Sequence, residues 1–159
     1  MRRLLLVLLM TVAGYGQSVA DELTGRSIIL AGDTIKIGGQ VIRLADIDAP
    51  ESYQICYHAN GADYLCGDES HLFLLDFIGQ KQVSCTYERL DERDQPLATC
   101  FVGSANINRA MVSAGWALPE HGSKTYEVEK TAAKKAKHGM WGGKFCPPRL
   151  VRSHKCTLE

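Results

Sequence analysis

The sequence predicts an α+β fold in which five short strands curl into a small closed barrel and three helices pack against it. Apolar stretches of strand length recur through residues 27–44 and 82–102. One helical pattern lies between these two groups, and two more follow the last strand. A five-stranded barrel with a helix inserted after its third strand is the layout of an OB-fold.

The five strands are predicted from short apolar and β-branched stretches. Gly38-Gly39 is a strong hairpin signal, because a two-residue turn needs a positive φ that glycine tolerates. The segment 45–67 contains Pro50 and two cysteines, and its length indicates a functional or disulfide-held loop rather than a simple connection. The strands are predicted at residues 27–30, 34–37, 40–44, 82–86 and 97–102.

Three helices follow from apolar spacing and from residues suited to helix ends. Asp68 and Asn106 stand where the first two helices begin and have side chains that cap a helix. The first helix places Leu72, Leu75 and Ile78 on one face, so we expect it to be largely buried. The helices are predicted at residues 68–78, 106–114 and 125–138, each followed by a glycine.

The first twenty residues have the features of a signal peptide. Arg2-Arg3 provides a basic start, an apolar run extends from Leu4 to Val12, and Ser18-Val19-Ala20 is a small-residue cleavage pattern. The apolar run is shorter than the roughly 20 residues that span a bilayer. We therefore expect a signal peptide at 1–20 and one domain at 21–159. The mature protein would be periplasmic or secreted in a bacterium, with no stable membrane association after cleavage. An uncleaved anchor is the alternative.

All six cysteines follow the predicted signal peptide, and an even number in an exported chain favours disulfides over free thiols. Sequence alone leaves the pairing open. We hypothesise three local bridges, which would close a loop, join two neighbouring strands and hold the C-terminal tail. The tail from Met140 onward is otherwise expected to be irregular. The three bridges are Cys56–Cys66, Cys85–Cys100 and Cys146–Cys156.

Charge is divided unevenly along the expected mature chain. Residues 21–120 contain 7 lysines and arginines against 15 aspartates and glutamates, whereas residues 121–159 contain 9 against 3. An acidic body suits a cation site and repels polyanions, but a basic end attracts them. Charge therefore gives a mixed indication of nucleic-acid binding.

The stretch from Ala31 to Glu51 contains the candidate functional residues. It comprises a predicted strand, a turn, a second strand and the loop that follows. Within it lie Asp33, Arg43, Asp48 and Glu51. Carboxylates are hard ligands for a divalent cation, and a guanidinium fork matches two phosphate oxygens. These residue types suggest a metal held against a phosphate. Taken singly, each residue is better explained as an ordinary turn, loop or exposed strand residue, and only the combination favours a site.

The same stretch carries a resemblance to a known family. The motifs Gly32-Asp33-Thr34 and Asp48-Ala49-Pro50-Glu51, in this order and at this spacing, are similar to those of the staphylococcal-nuclease-like (thermonuclease) family. Further matching positions extend the resemblance over about residues 28–141: Arg43-Leu44, Leu97-Ala98, Asn108, Gly115-Trp116-Ala117 and Gly139-Met140-Trp141.

The resemblance implies a role for each residue of the site. Asp33, Asp48 and the backbone carbonyl of Ala49 would hold Ca²⁺, which prefers hard oxygen ligands. Glu51 would orient or deprotonate the attacking water, and Arg43 would clamp the phosphate. The implied activity is calcium-dependent hydrolysis of DNA or RNA with little sequence preference.

The sequence also departs from the family pattern. Gln95 stands where the family usually has a second catalytic arginine, and Ala31 stands where it tends to have an acid before Gly-Asp-Thr. Arg89 and Arg93 lie in the same segment as Gln95 and are candidate replacements. Two functions are therefore weighed. One is an exported nuclease of reduced activity, and the other is a catalytically inactive OB-fold module that binds nucleic acid, another polyanion or a protein. Oligomeric state is not predicted.

Overall fold

The computed structural model describes residues 21–156, so the predicted signal peptide lies outside the described residues. Within this range the chain forms eleven strands and four α-helices. The strands are β1 Asp21–Gly25, β2 Ser27–Ala31, β3 Thr34–Ile37, β4 Gln40–Leu44, β5 Ile47–Asp48, β6 Ile55–Tyr57, β7 Asp63–Leu65, β8 Val83–Leu90, β9 Pro96–Val102, β10 Ala105–Asn106 and β11 Leu118–Pro119. The helices are α1 Cys66–Ile78, α2 Ile107–Ser113, α3 Glu127–Ala136 and α4 Pro148–Arg152, with a 3₁₀ turn at Gly139–Gly142.

The main sheet has the strand order β1-β8-β9-β4-β3-β2, and β10 adds to β9. Its neighbours are antiparallel except β4 and β9, which run parallel where Arg43 and Leu44 face Leu97 and Ala98. The sheet curls into a half-barrel around a core of alternating strand residues. The predicted α+β, OB-fold-like class is confirmed, but the sheet is a half-barrel with β1 added beside β8, not the closed five-stranded barrel that was expected.

The core explains why these residues form these strands. Ile35, Ile42 and Leu44 are buried at alternate or facing positions of the β3–β4 hairpin, as expected for strands with one covered face. Gly38 and Gly39 both have positive φ, so the predicted hairpin turn is also confirmed. Strand β5 forms a separate pair with β11, in which Asp48 faces Leu118.

A buried asparagine holds the corner where β4 leaves the sheet. The Asn108 side chain donates to the carbonyls of Ala45 and Ala98, over 2.9 and 3.0 Å, and accepts from the N–H of Cys100 over 3.1 Å. It therefore replaces a strand partner along β9 beyond the last β4 residue, and it fixes the start of the segment that leads into β5.

Several details of the predicted elements were wrong. Leu72 and Leu75 are 49% and 44% exposed, whereas Leu74 is fully buried, because α1 packs on the core through the face that carries Ser70, Leu74 and Ile78. The helix begins at Cys66 without a side-chain cap, whereas the predicted Asn106 cap accepts from Arg109 N–H over 2.8 Å. The supposed loop 45–67 contains the β6–β7 hairpin, and the tail contains α4.

The hypothesised disulfide pairing is confirmed at all three bridges. Cys85 and Cys100 are facing residues on β8 and β9, and their bridge lies in the barrel core. Cys56–Cys66 joins β6 to the start of α1, and Cys146–Cys156 closes the tail around α4. In the part of the chain described here, no helix is long and apolar enough to cross a membrane.

Candidate active site

Asp33 lies in the turn between β2 and β3, where the backbone passes close to α1. A Cβ on Gly32 would overlap the hydroxyl of Ser70 on that helix, so only glycine allows this close approach. The Asp33 carboxylate accepts from the Thr34 hydroxyl over 2.8 Å and from the N–H of Ala49 over 3.3 Å. These two contacts fix the carboxylate beside the β5 end.

Asp48 ends β5 and is the most buried carboxylate of the site, with its side chain 8% exposed. Burial raises its pKa above the ordinary value; the guanidinium of Arg152 acts in the opposite direction, and the nearby Asp33 carboxylate adds to the rise. The Asp33 carboxylate therefore lies close enough to disfavour the charged form of Asp48.

Glu51 is held in a tight turn against the start of α1. Its carbonyl accepts from the N–H of Gln54 over 2.8 Å, and its own N–H donates to the Gln54 side chain over 3.4 Å. Gly67 packs so closely on the Glu51 carbonyl that a Cβ would overlap it. The Glu51 carboxylate thus projects from a fixed backbone next to Asp48.

Arg43 projects from β4 between two acids. Its Nη2 lies 3.9 Å from an Asp33 oxygen, and its Nη1 lies 3.8 Å from Asp91, at the start of the β8–β9 connection. Asp91 in turn accepts from the backbone N–H groups of Arg93 and Gln95. Partial burial acts to raise the pKa of Asp91, but these hydrogen bonds and Arg43 outweigh it and lower the pKa.

Gln95 and the two arginines that could replace its expected role, Arg89 and Arg93, lie in different surroundings. Gln95 belongs to the turn that orients Asp91, so it lies on the Arg43 side of the site. Arg89 lies 3.9 Å from Asp46 and forms no ion pair with Asp33, Asp48 or Glu51 among the described residues. No ion pair places Arg93 at those carboxylates within residues 21–156.

A guanidinium does reach the carboxylates, but from the C-terminal tail. Arg152 Nη2 donates to Asp48 Oδ1 over 2.8 Å, and Nη1 donates to Oε1 of Glu51. Asp48 Oδ2 accepts from the backbone N–H of Arg149 over 3.1 Å. Partial burial acts to lower the pKa of Arg152, but its bonds to Glu51 and Asp48 outweigh that and raise the pKa.

The donor set bears on which ion the site could hold. Asp33 and Asp48 supply carboxylate oxygens, and the backbone between Asp48 and Glu51 supplies carbonyls, so all donors are the hard oxygens that Ca²⁺ prefers. No three acidic, histidine or cysteine side chains lie close enough for joint coordination among residues 21–156. The chemistry of these residues therefore fits a calcium site of two carboxylates completed by a carbonyl and water.

The structure brings together the residues that the sequence singled out and adds two more. Asp33, Arg43, Asp48, Ala49 and Glu51 share one end of the half-barrel. Asp91 and Arg152 were missed. The signal for Asp91 was its place in the charged segment before Gln95, and the signal for Arg152 was the basic tail enclosed by the last cysteine pair.

Comparison with known proteins agrees with this arrangement. Residues 41–143 match the family model described as "Staphylococcal nuclease homologue". The chain is 33% identical over 132 residues to the micrococcal nuclease of Shigella flexneri, which covers 71% of this chain and 70% of that protein. It is 27% identical over 157 residues to the probable endonuclease lcl3 of Sclerotinia sclerotiorum, which covers 91% of this chain and 56% of that protein.

A third relative carries a name of another kind. The succinoglycan biosynthesis protein ExoI of Rhizobium meliloti (strain 1021) is 31% identical over 159 residues, which covers 98% of this chain and 78% of that protein. The match to the family model spans most of the sheet and the first three helices. This chain therefore belongs to the family of staphylococcal nuclease homologues.

Proposed function

We propose that the protein is an exported, calcium-dependent phosphodiesterase that hydrolyses DNA or RNA with little sequence preference. The family relationship supports nuclease-type hydrolysis. The observation that carries the finer proposal is the grouping of Asp33, Asp48, Glu51 and Arg43 at one end of the half-barrel. This set combines cation ligands, a base and a phosphate clamp, which are the parts that the reaction needs.

Asp33, Asp48 and the carbonyl of Ala49 would hold the calcium ion. When bound, the ion supplies positive charge beside the phosphate and polarises a phosphate oxygen. The hydrogen bond from Ala49 N–H to Asp33 keeps the two ligand segments together before any ion arrives. Burial of Asp48 keeps most water away from its carboxylate, which would strengthen the attraction of that carboxylate for a cation.

Glu51 and Arg43 would carry the hydrolytic step. Glu51 accepts a proton from water as the water oxygen bonds to phosphorus; the phosphorus–oxygen bond to the leaving nucleoside breaks, and that oxygen takes a proton from solvent. Arg43 donates to the non-bridging oxygens as their charge grows. Its two acidic neighbours, Asp33 and Asp91, hold the guanidinium in place beforehand.

The site residues support the proposed substrate class, and the disulfides support the proposed compartment. A phosphodiester is the group that a cation, a guanidinium and a carboxylate base act on together, and the names of two relatives are those of nucleases. Three disulfides are typical of proteins from oxidising compartments. They support a periplasmic or secreted location, with residues 1–20 as the export signal.

The proposed activity is tested with Glu51→Gln in purified, oxidised protein. We expect calcium-dependent cleavage of single-stranded and double-stranded DNA by the parent, loss in chelator, and loss in Glu51→Gln, because the amide accepts no proton. Glu88→Gln is the matched control, since Glu88 is exposed on β8 and is absent from the hydrogen bonds and ion pairs described for the site residues. Unchanged turnover in Glu51→Gln would remove Glu51 from the mechanism.

A second candidate function is a catalytically inactive module that binds nucleic acid, another polyanion or a protein. Two observations favour it: Gln95 stands in the place of an arginine, and Arg152 occupies the Asp48 and Glu51 carboxylates. This candidate predicts no cleavage with any divalent ion. It also predicts saturable binding, which weakens with salt only if the partner is anionic.

A further inference from the structure

We propose that Arg152, delivered by the disulfide-closed tail, is a second phosphate-contacting residue of the site. The inference rests on the proposed function, because it assigns the residue to the same substrate. It goes beyond that function because Arg152 lies outside residues 41–143, the segment that matches the family model. The argument follows from the hydrogen-bond capacity of the guanidinium, its attachment and the charge of its neighbours.

The guanidinium has donors to spare. A guanidinium carries five N–H donors in a planar fork, and Arg152 uses one on Asp48 and one on Glu51. Its side chain is 43% exposed, whereas the Asp48 side chain beneath it is 8% exposed. Arg152 therefore lies at the mouth of the site with its remaining donors accessible to an approaching phosphate.

The tail is attached firmly enough to position that group. Its first segment pairs with β6 through two backbone hydrogen bonds of 2.8 and 2.9 Å between Tyr57 and Lys144. The buried Gln54 side chain donates to the carbonyl of Cys146 over 2.7 Å. Helix α4 follows, and the Cys146–Cys156 bridge closes the segment around it. Little conformational freedom is then lost when substrate binds, which favours a catalytic or binding role.

Charge provides an independent reason for a second guanidinium. Asp33, Asp48, Glu51 and Asp91 place four carboxylates around the site, and Arg43 is shared between two of them. One calcium ion and Arg43 together would leave this cluster negative, and a phosphodiester would be repelled. Arg152 brings the cluster with calcium to neutrality, so that a phosphate approaches without that repulsion.

The same contacts permit an opposite effect on activity. If Arg152 acted only as a cover over Asp48 and Glu51, it would compete with calcium and with proton transfer, and its removal would increase cleavage. If it contacts the phosphate, its removal decreases cleavage and weakens substrate binding. The two effects differ in sign, so one set of variants separates them.

The kinetic arm of the test compares Arg152→Ala and Arg152→Lys with the parent in saturating calcium. We expect Arg152→Ala to lower kcat about 10²–10³-fold, the usual loss for one transition-state donor. Arg152→Lys keeps the charge without the fork and should recover only part of that loss. Lys155→Ala removes one charge from the same tail, outside the site contacts, and should retain the parental kcat.

The binding arm does not depend on cleavage. Affinity for a single-stranded, phosphorothioate-linked tetranucleotide, which resists hydrolysis, is measured by fluorescence anisotropy across a salt series with calcium and with chelator. Loss of one phosphate contact should reduce the slope of log affinity against log salt by about 0.7 in Arg152→Ala. Arg152→Lys and Lys155→Ala should keep the parental slope, and circular dichroism checks that each variant is folded.

The outcomes are separable. A reduced slope confined to Arg152→Ala, with reduced kcat, supports the proposal. An unchanged slope, or faster cleavage by Arg152→Ala than by the parent, overturns it. If the folded parent does not cleave at all, the proposed nuclease function fails, and the binding arm still decides whether Arg152 contacts phosphate.

Discussion

Replacement of Asn108 by alanine should destabilise the protein strongly, because this side chain completes the hydrogen bonding of β9 where β4 departs. The two hydrogen bonds to the carbonyls of Ala45 and Ala98 are lost, each worth about 1 kcal/mol, and the buried N–H of Cys100 loses its acceptor, which costs about 1–3 kcal/mol more. We therefore expect a total loss of about 3–5 kcal/mol in the free energy of unfolding.

The matched control removes the same amide two residues earlier. Asn106 caps α2 at an accessible position, so Asn106→Ala should cost only about 1 kcal/mol. With a urea m-value of about 2 kcal/mol/M, the unfolding midpoint should fall by about 1.5–2.5 M for Asn108→Ala and by about 0.5 M for the control.

Unfolding is followed by circular dichroism with all disulfides intact. Asn108→Asp gives a second test: it keeps the acceptor for Cys100 but places a carboxylate against two carbonyls, so it should be destabilised at least as much at neutral pH. Equal midpoints for Asn108→Ala and Asn106→Ala would refute the interpretation of Asn108 as a substitute strand partner.

Three further predictions concern the site. Replacing Cys146 and Cys156 together by serine should free the tail and reduce cleavage as far as Arg152→Ala does. It should also lower the free energy of unfolding, measured in urea, by about 2–3 kcal/mol. Parental turnover would contradict this prediction. Because the pKa of Asp48 is raised above 3.8, calcium affinity measured calorimetrically should fall with decreasing pH before an ordinary aspartate protonates, and constant affinity down to pH 4 would contradict it. Gln95→Arg should increase cleavage, and silence of parent and variant alike would favour the binding module.

The parts of the fold that were predictable are those with a local cause. Gly38-Gly39 predicted the β3–β4 hairpin because the turn conformation depends on two adjacent residues that tolerate a positive φ. The Asn106 cap and the glycines after α1 and α2 are equally local, whereas α3 ends at Ala136 and has Lys137, not Gly139, as its left-handed cap. The buried face of α1 was predicted wrongly because spacing shows which residues share a face but not which face a curved sheet covers.

The candidate site divides in the same way. Asp33, Arg43, Asp48 and Glu51 lie within nineteen residues and were found together from their spacing. Arg152 is separated from Glu51 by 101 positions, and its approach depends on the pairing of Tyr57 with Lys144 and on a five-residue helix. No local pattern specifies such a contact. The enclosing cysteine pair indicated that the tail was held, but not what it was held against.

The position of Arg152 also shows that the candidate site extends beyond the segment that matches the family model. The segment by which the chain is recognised as a family member ends at residue 143, and it begins at residue 41, after Asp33. A protein trimmed to that segment would still match the family model while losing Asp33, strands β1 to β3 and the tail guanidinium. The segment matched by the family model and the candidate site therefore span different lengths of chain, because Asp33 precedes residues 41–143 and Arg152 follows them.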